Sequence, residues 1–374
     1  MKIIIAMDSF KGTLTACQAC DIIAEAIADY APGVQLVIKP MADGGEGTAD
    51  AMIKAAHGRW IPKTVMGPLT DMQVDAGFAW FDRDKTALVE MASASGLELL
   101  SKEQMNPLKT TTYGTGQLIK AASQYGACKI LLAVGGSATV DGGLGAATAL
   151  GWEFLDQQGY PILPGGAGLE QVAKMVKPKD LHLPAVEVLC DVDNPLCGQH
   201  GAAKVYGPQK GATTQMVEHL EKGFVHLAAL VQNQLQRDIN NVPGAGAAGG
   251  LAAGAIAFMN AKLVSGIETI MAHSNLGDEL QSADWIITGE GCFDYQSLRG
   301  KVVSGVAKIT SQSNTRLAVL AGQIAVPQTE FGKLAISTAI SCRTNGMPLD
   351  YALKNCRTLL RSAARKFAAQ HLTQ

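Results

Sequence analysis

Aromatic side chains are scarce in this sequence: 9 Phe, 7 Tyr and 4 Trp in 374 residues. Few platforms exist on which nucleobases could stack. An excess of charge of either sign is missing too, with 31 basic residues against 33 acidic ones. That balance excludes a broad nucleic-acid-binding surface. No stretch reaches about 18 apolar residues without a break, so no membrane span is expected. The nearest, residues 244–259, is mostly Gly and Ala. The opening MKIIIAMDSF meets Asp8 too soon for a secretory h-region and reads as a buried strand. The expected location is cytoplasmic.

Several motifs are also missing. No G-x-x-x-x-G-K-[ST] occurs, which excludes a Walker-type ATP site. The seven histidines are dispersed, without H-E-x-x-H and without a Ser/His/Asp order that stands out. Cys17 and Cys20 form a C-x-x-C, but no second pair at zinc-ribbon spacing follows. Both fall on the apolar side of a helical pattern, so core packing is expected of them. What is abundant is glycine, 41 residues or about 11 % against a usual value near 7 %. Hydrophobic residues make up 47 %, enough for a large core and against disorder. The length suggests about two domains.

Short apolar runs alternate with helical patterns, which indicates an α/β protein. Residues 2–7 read as a strand, and Thr15 with Gln18 as a capping box for the helix after it. Residues 34–40 read as a second strand, with a helix from 48 to about 57. The same grammar returns late, with strands at 284–288, 316–321 and 334–341 and one amphipathic helix over 349–372. That helix carries Lys354, Arg357, Arg361 and Arg365 on one face, read as solvated. Between these ends lie strands at 74–81, 87–91, 129–134 and 186–189, and a helix at 216–237. Two domains are expected. Residues 1–60 and 266–374 form a discontinuous flavodoxin-like domain with a parallel sheet. Residues 61–265 form an inserted α/β domain with a mixed sheet, the active site lying in the cleft between. No coiled-coil pattern appears, and a monomer or homodimer is expected.

Polar residues cluster just after predicted strands, where α/β sheets bind ligands. Asp8-Ser9-Phe10-Lys11-Gly12 puts an acid, a hydroxyl and a lysine at one strand exit. Such groups hold Mg²⁺, take a proton or neutralise phosphate. Asp43-Gly44-Gly45-Glu46-Gly47 sets two carboxylates about glycines at a helix start. The stretch Gly135-Gly136-Ser137-Ala138-Thr139-Val140-Asp141-Gly142-Gly143 offers backbone N–H groups, two hydroxyls and a carboxylate, the makings of a phosphate cradle. Asp191, Asp193 and Asn194 are oxygen ligands on a loop, or an Asp-Asn-Pro turn. Lys210 stands in a glycine frame. Gly289, Glu290 and Asp294, then Arg299 and Lys301, mix acids and bases at a strand exit. Gly244 to Gly249 matches G-x-G-x-x-G literally, but a turn rather than a strand precedes it, so no dinucleotide site is expected.

Taken in order, D-S-F-K-G (8–12), A-D-G-G-E-G-T (42–48), G-G-S-A-T-x-D-G-G (135–143), D-x-D-N-P-L (191–196), G-P-Q-K-G-A (207–212), P-G-A-G-A-A-G-G (243–250) and T-G-E-G-x-x-D (288–294) resemble the bacterial class I glycerate kinase family, of the 2-kinase type. Each block alone is weak; seven in order are specific. The resemblance implies Mg²⁺-dependent transfer of phosphate from ATP to D-glycerate, giving 2-phosphoglycerate. A 3-kinase, or a non-catalytic sugar-acid sensor, is the alternative. On this reading Asp191, Asp294, Lys11 and Asp8 are catalytic, and Ser9, Asp43, Glu46, Arg299 and Lys301 bind the substrate. Gly135, Gly136, Ser137, Thr139, Asp141, Gly142, Gly143, Lys210, Gly289 and Glu290 hold nucleotide phosphates. Asp8, Asp191 and Asp193 hold Mg²⁺. Two positions depart from the family pattern: Val140 stands where Asn is common, and Cys292 where Arg is common.

Overall fold

The computed structural model describes residues 1–298 and 300–372. The chain divides into two compact units. One gathers Met1–Asp43, Asp50–Gly58 and the chain from Ser265 onward; the other holds Gly44–Ala49 and Arg59–Val264.

The first unit is built on five parallel strands: Lys2–Met7, Gln35–Ile38, Trp285–Gly289, Arg316–Ala321 and Ile336–Ser341. Numbered along the chain, they lie in the order 2-1-3-4-5. This is the doubly wound order of flavodoxin-like sheets. Its strands are near-continuous apolar runs because helices cover both faces; Ile3, Ile4, Ile5 and Ile287 are fully buried. The strand order reverses between Lys2–Met7 and Trp285–Gly289, whose ends pair Met7 with Gly289. Ligands bind outside such a reversal, at the carboxyl ends of the strands.

Gly289 itself is required there. A Cβ on it would lie 1.8 Å from the Leu320 carbonyl oxygen, at a φ of +157°. Gly289→Ala is expected to lower stability by about 2–3 kcal/mol, since the sheet must yield to admit the methyl. Urea unfolding measures this, and an unchanged midpoint would contradict it.

The helix Ala16–Tyr30 starts with the expected reciprocal box between Thr15 and Gln18. It buries Cys20, Ile23 and Ile27, and burial pushes the Cys20 thiol up to about 12. Both cysteines of the pair are free thiols. The closing helix is not continuous. It is split at Asn355 into Leu349–Lys354 and Cys356–His371. The Asn355 side-chain amide donates to the Tyr351 carbonyl at 2.8 Å, beside its own backbone N–H at 3.0 Å, and so caps the first piece. Only the second piece is anchored, through Leu360, Ala364 and Phe367. On its outer face Arg361 pairs with Glu25 and Asp29, and Arg365 with Asp29. Such exposed pairs add little stability.

The second unit contains a six-stranded mixed sheet. Lys262–Val264, Ala185–Leu189, Lys129–Ala133 and Thr86–Glu90 are parallel neighbours; Gln73–Phe81 and Arg59–Met66 continue the sheet antiparallel. The helices Tyr113–Tyr125 and Leu251–Met259 bury Leu118, Ile119 and Leu251 against Val89, Leu132 and Val188. The helix Thr214–Leu235 begins where the Thr213 hydroxyl accepts from the Met216 N–H, and stops at Gln236, whose φ is +56°. No strand leads into Gly244–Gly249; its glycine run opens directly into Leu251–Met259. Among the described residues no helix is long and apolar enough to cross a membrane.

Candidate active site

The predicted loops divide between the two units, and the 42–48 loop passes from the first to the second after Asp43. In the first unit the loops after Lys2–Met7 and Trp285–Gly289 are joined by the Asp8 N–H, which donates to the Gly289 carbonyl at 2.9 Å. The Asp8 carboxylate then accepts the Ser9 N–H at 2.6 Å. Burial, then the charge of Asp43, raises the Asp8 carboxyl to about 7; Glu290 adds to this, and Lys11 opposes it. Asp43 follows the second strand of the sheet, and just past that strand the Met41 N–H donates to the Met7 carbonyl at 2.9 Å. Three strand exits therefore bring three acids together. Glu290 is also raised, by burial first; the Ser297 hydroxyl and Lys301 oppose this, while Asp294 and Asp43 add to it. Its Oε1 is buried without a hydrogen-bond partner among the described residues.

Asp294 is differently placed. Its Oδ1 accepts the N–H groups of Gln296 at 2.8 Å and Ser297 at 3.3 Å. That is an Asx turn, so the carboxylate organises its own loop. Cys292 is exposed on the short strand Cys292–Phe293, and the charges of Asp294 and Glu290 act on its thiol. Cys292 thus stands among acids and brings no positive charge to them. Lys301, half-buried, is the base that opposes the shift on Glu290. Arg299 lies outside the described residues.

In the second unit the strand Lys129–Ala133 runs into the glycine-rich loop. The Gly135 N–H donates to the Gly44 carbonyl at 3.2 Å, and a Cβ on Gly135 would lie 2.5 Å from the Gly45 Cα. Only glycine at 135 permits this approach of the two loops. The Gly246 N–H donates to the Asn194 carbonyl at 2.9 Å, and the Gly142 N–H to that of Gly249 at 3.1 Å. The predicted loops about Gly44, Gly135, Asn194 and Gly246 are therefore knitted by their backbones.

The inside of this assembly corrects part of the expected phosphate cradle. Asp141 is 0 % exposed. It accepts the Thr112 N–H at 2.8 Å, the Thr112 hydroxyl at 2.9 Å, the Gly143 N–H at 3.0 Å and the Gly145 N–H at 3.3 Å. Burial raises its pKa despite these donors. A carboxylate so enclosed cannot face a phosphate. Asp141 braces the loop, and the N–H groups of Gly142 and Gly143 point to internal acceptors rather than to a ligand. Lys210 is likewise inside: its Nζ donates to the Ser137 Oγ at 2.7 Å and the Thr139 carbonyl at 2.8 Å. Burial lowers its pKa to about 7, against the charge of Asp141. The Thr139 hydroxyl oxygen is buried without a partner among the described residues.

Of the other predicted residues, Ser9 and Asp191 are half-buried, and Asp193 and Lys11 are exposed. Glu46 is exposed, and its pKa is raised by partial desolvation, by the hydrogen bond its protonated form donates to Glu98 and by the charge of Glu98. Glu98 was not singled out from the sequence, and neither were Glu90, which accepts the Thr48 N–H at 3.0 Å, or Thr112. None of the three sits in a glycine-rich stretch, the one signal that marked the other loops. Among the described residues no three His, Cys, Asp or Glu side chains form a group able to hold a metal ion, and Asp8 belongs to a different unit from Asp191 and Asp193.

A parallel sheet with acids at its order reversal, and a braced glycine-rich loop after a second sheet's strand, define an enzyme equipped for small anions. The glycerate kinase family model matches residues 3–372, and the chain belongs to that family of kinases. It is 42 % identical to a glycerate kinase of Halalkalibacterium halodurans, over 98 % of this chain and 97 % of that one. It is 40 % identical to the glycerate 2-kinase of Escherichia coli, over 99 % and 97 %. A crystal structure of a candidate glycerate kinase 2 from Salmonella typhimurium LT2 matches with a TM-score of 0.86 and 40 % identity, covering 99 % of this chain and 98 % of that one.

Proposed function

We propose that the protein transfers the γ-phosphoryl group of ATP to the 2-hydroxyl of D-glycerate, giving 2-phosphoglycerate and ADP. The observation that carries this reading is the placement of Asp8, Asp43 and Glu290 at the reversal of the first unit's sheet, with Asp8 raised to about 7. A carboxylate of that strength changes protonation at neutral pH and suits the proton acceptor of the reacting hydroxyl. The hydroxyl oxygen forms the new bond to phosphorus, the bond to the bridging oxygen of ADP breaks with its electron pair, and the proton passes to Asp8. Lys11 and Lys301 supply positive charge for the substrate carboxylate, and Ser9 a hydroxyl. Asp191 and Asp294 are the alternative acids for orienting the hydroxyl, Asp294 holding its own loop through Oδ1.

Mg²⁺ fits the acid cluster: Glu290 has a buried oxygen without a partner, and Asp43 adds a second carboxylate nearby. Mg²⁺ is commonly bound by one or two carboxylates plus water and phosphate oxygens rather than by a closed cage. When bound, it neutralises charge on the triphosphate. The name of the Escherichia coli relative supports the 2-position.

The test is ³¹P NMR of a mixture of the protein, D-glycerate, ATP and Mg²⁺. ADP with 2-phosphoglycerate is expected. Formation of 3-phosphoglycerate would overturn the position. No ADP above a glycerate-free control would overturn the substrate.

A further inference from the structure

We infer that Lys210 is a positioning residue that prepares the Ser137 hydroxyl to donate a hydrogen bond to a phosphate oxygen of the bound nucleotide. This rests on reading the 135–143 loop as the nucleotide-phosphate site. An ammonium group has donors and no acceptor. With the proton on Nζ, the 2.7 Å contact makes the Ser137 Oγ an acceptor and leaves the serine's own proton for another partner; an anion bound at the serine favours that charged form over the neutral amine. The second bond, to the Thr139 carbonyl at 2.8 Å, fixes the ammonium between loop residues.

Exposure shows which of these residues a solute can reach. Lys210 keeps 1 % of its surface, Thr139 and Asp141 none, and Ser137 8 %. Among these four, only the serine retains appreciable surface for a solute to touch. Lys210 cannot meet a phosphate directly, as the sequence suggested, but its charge reaches one through the serine. A hydroxyl that accepts from a cation is a stronger donor on its other side. Among the described residues no carboxylate is bonded to the ammonium; Asp141 acts on it through space and is itself held by Thr112, Gly143 and Gly145. An anion at Ser137 is the missing counter-charge. The backbone about Ser137 is fixed, because its neighbours bond the preceding loop through the Leu97 N–H to Gly136 and the Ala138 N–H to Ser95.

The experiment is titration calorimetry of MgADP with the full-length wild-type chain, Lys210→Met, Ser137→Ala and the double variant. Each single change is expected to weaken binding about tenfold, a typical effect of losing a charge-assisted hydrogen bond. The double variant is expected to be no weaker than either single one, because both delete the same contact. A lysine that merely fills space would give multiplied effects, about a hundredfold in the double variant, and that result overturns the inference. So does unchanged affinity in Lys210→Met. If Lys210→Met does not fold by circular dichroism, Ser137→Cys decides. A thiol is a poor acceptor and donor, so a tenfold loss supports the inference and wild-type affinity overturns it. Wild-type protein that binds no MgADP would instead overturn the reading of the loop, and this inference with it.

Discussion

Asp8→Asn should abolish phosphoryl transfer, by at least about a thousandfold in kcat, while making the metal-free protein more stable at pH 8. The two effects have one cause. Asp8 has a carboxyl pKa of about 7 in the fold against 3.8 unperturbed, because it is buried and then because Asp43 and Glu290 repel its charge. At pH below about 4 both folded and unfolded chains hold the proton, and the group leaves stability unchanged. Between about 4 and 7 the folded chain holds the proton more tightly than the unfolded one, so stability falls as pH rises. Above about 7 the full difference is lost, on the order of 4 kcal/mol at roughly 1.4 kcal/mol per pH unit. Asparagine escapes this and still offers Oδ1 to the Ser9 N–H. The gain of Asp8→Asn should therefore be largest at pH 8 and vanish below pH 4. Denaturant midpoints in EDTA across that range measure it; a variant less stable than wild type at pH 8 contradicts it. In the wild type kcat should rise with pH as Asp8 loses its proton and then level off, with a midpoint below the metal-free one, because Mg²⁺ on Asp43 and Glu290 offsets the charges that hold the proton. Stability sacrificed at a reactive carboxylate is a common trade at active sites.

The acid cluster was legible in the sequence only in pieces. Asp8, Asp43 and Glu290 each follow an apolar run, and a carboxylate at a strand exit is a local signal. That Asp43 and Glu290 act on Asp8 depends on the 2-1-3 part of the sheet order, which no local pattern carries. The same limit explains the loop about Asp141. Its glycines mark a tight turn after Lys129–Ala133, but spacing does not say which way a side chain points. Asp141 and Lys210 read as ligands for phosphate because both are charged residues among glycines, and both turn inward. The groups that receive them, Thr112 and Thr139, are distant in sequence or bear no charge. The break at Asn355 was hidden for another reason. The amphipathic pattern continues on both sides of it, and the break lies in the backbone of Asn355 itself, whose φ of −108° and ψ of 16° leave the helical range.

Asp141→Ala should lower stability by about 3–5 kcal/mol and weaken MgADP binding by at least about a hundredfold, the second large effect expected of a single residue. The carboxylate is the acceptor for the N–H groups of Thr112, Gly143 and Gly145, all held to it at 2.8–3.3 Å. Losing it strands those donors inside, each at roughly 1–3 kcal/mol before relaxation. Thr112 also ties the loop to the next helix, since its hydroxyl accepts the Ala146 N–H at 2.9 Å. The turn from Asp141 to Gly145 then loses its bracket, and the far end of the same loop carries Ser137. Lys210 is left without the negative charge that opposes its loss of a proton. Asp141→Asn separates bracing from charge: it keeps the size and one acceptor oxygen, but turns an amide N–H₂ toward a donor. Its loss of stability should fall between those of wild type and alanine. Urea unfolding and calorimetry on the three proteins measure both quantities. An alanine variant within about 1 kcal/mol of wild type, with unchanged MgADP affinity, would show that the glycine backbone alone holds the loop.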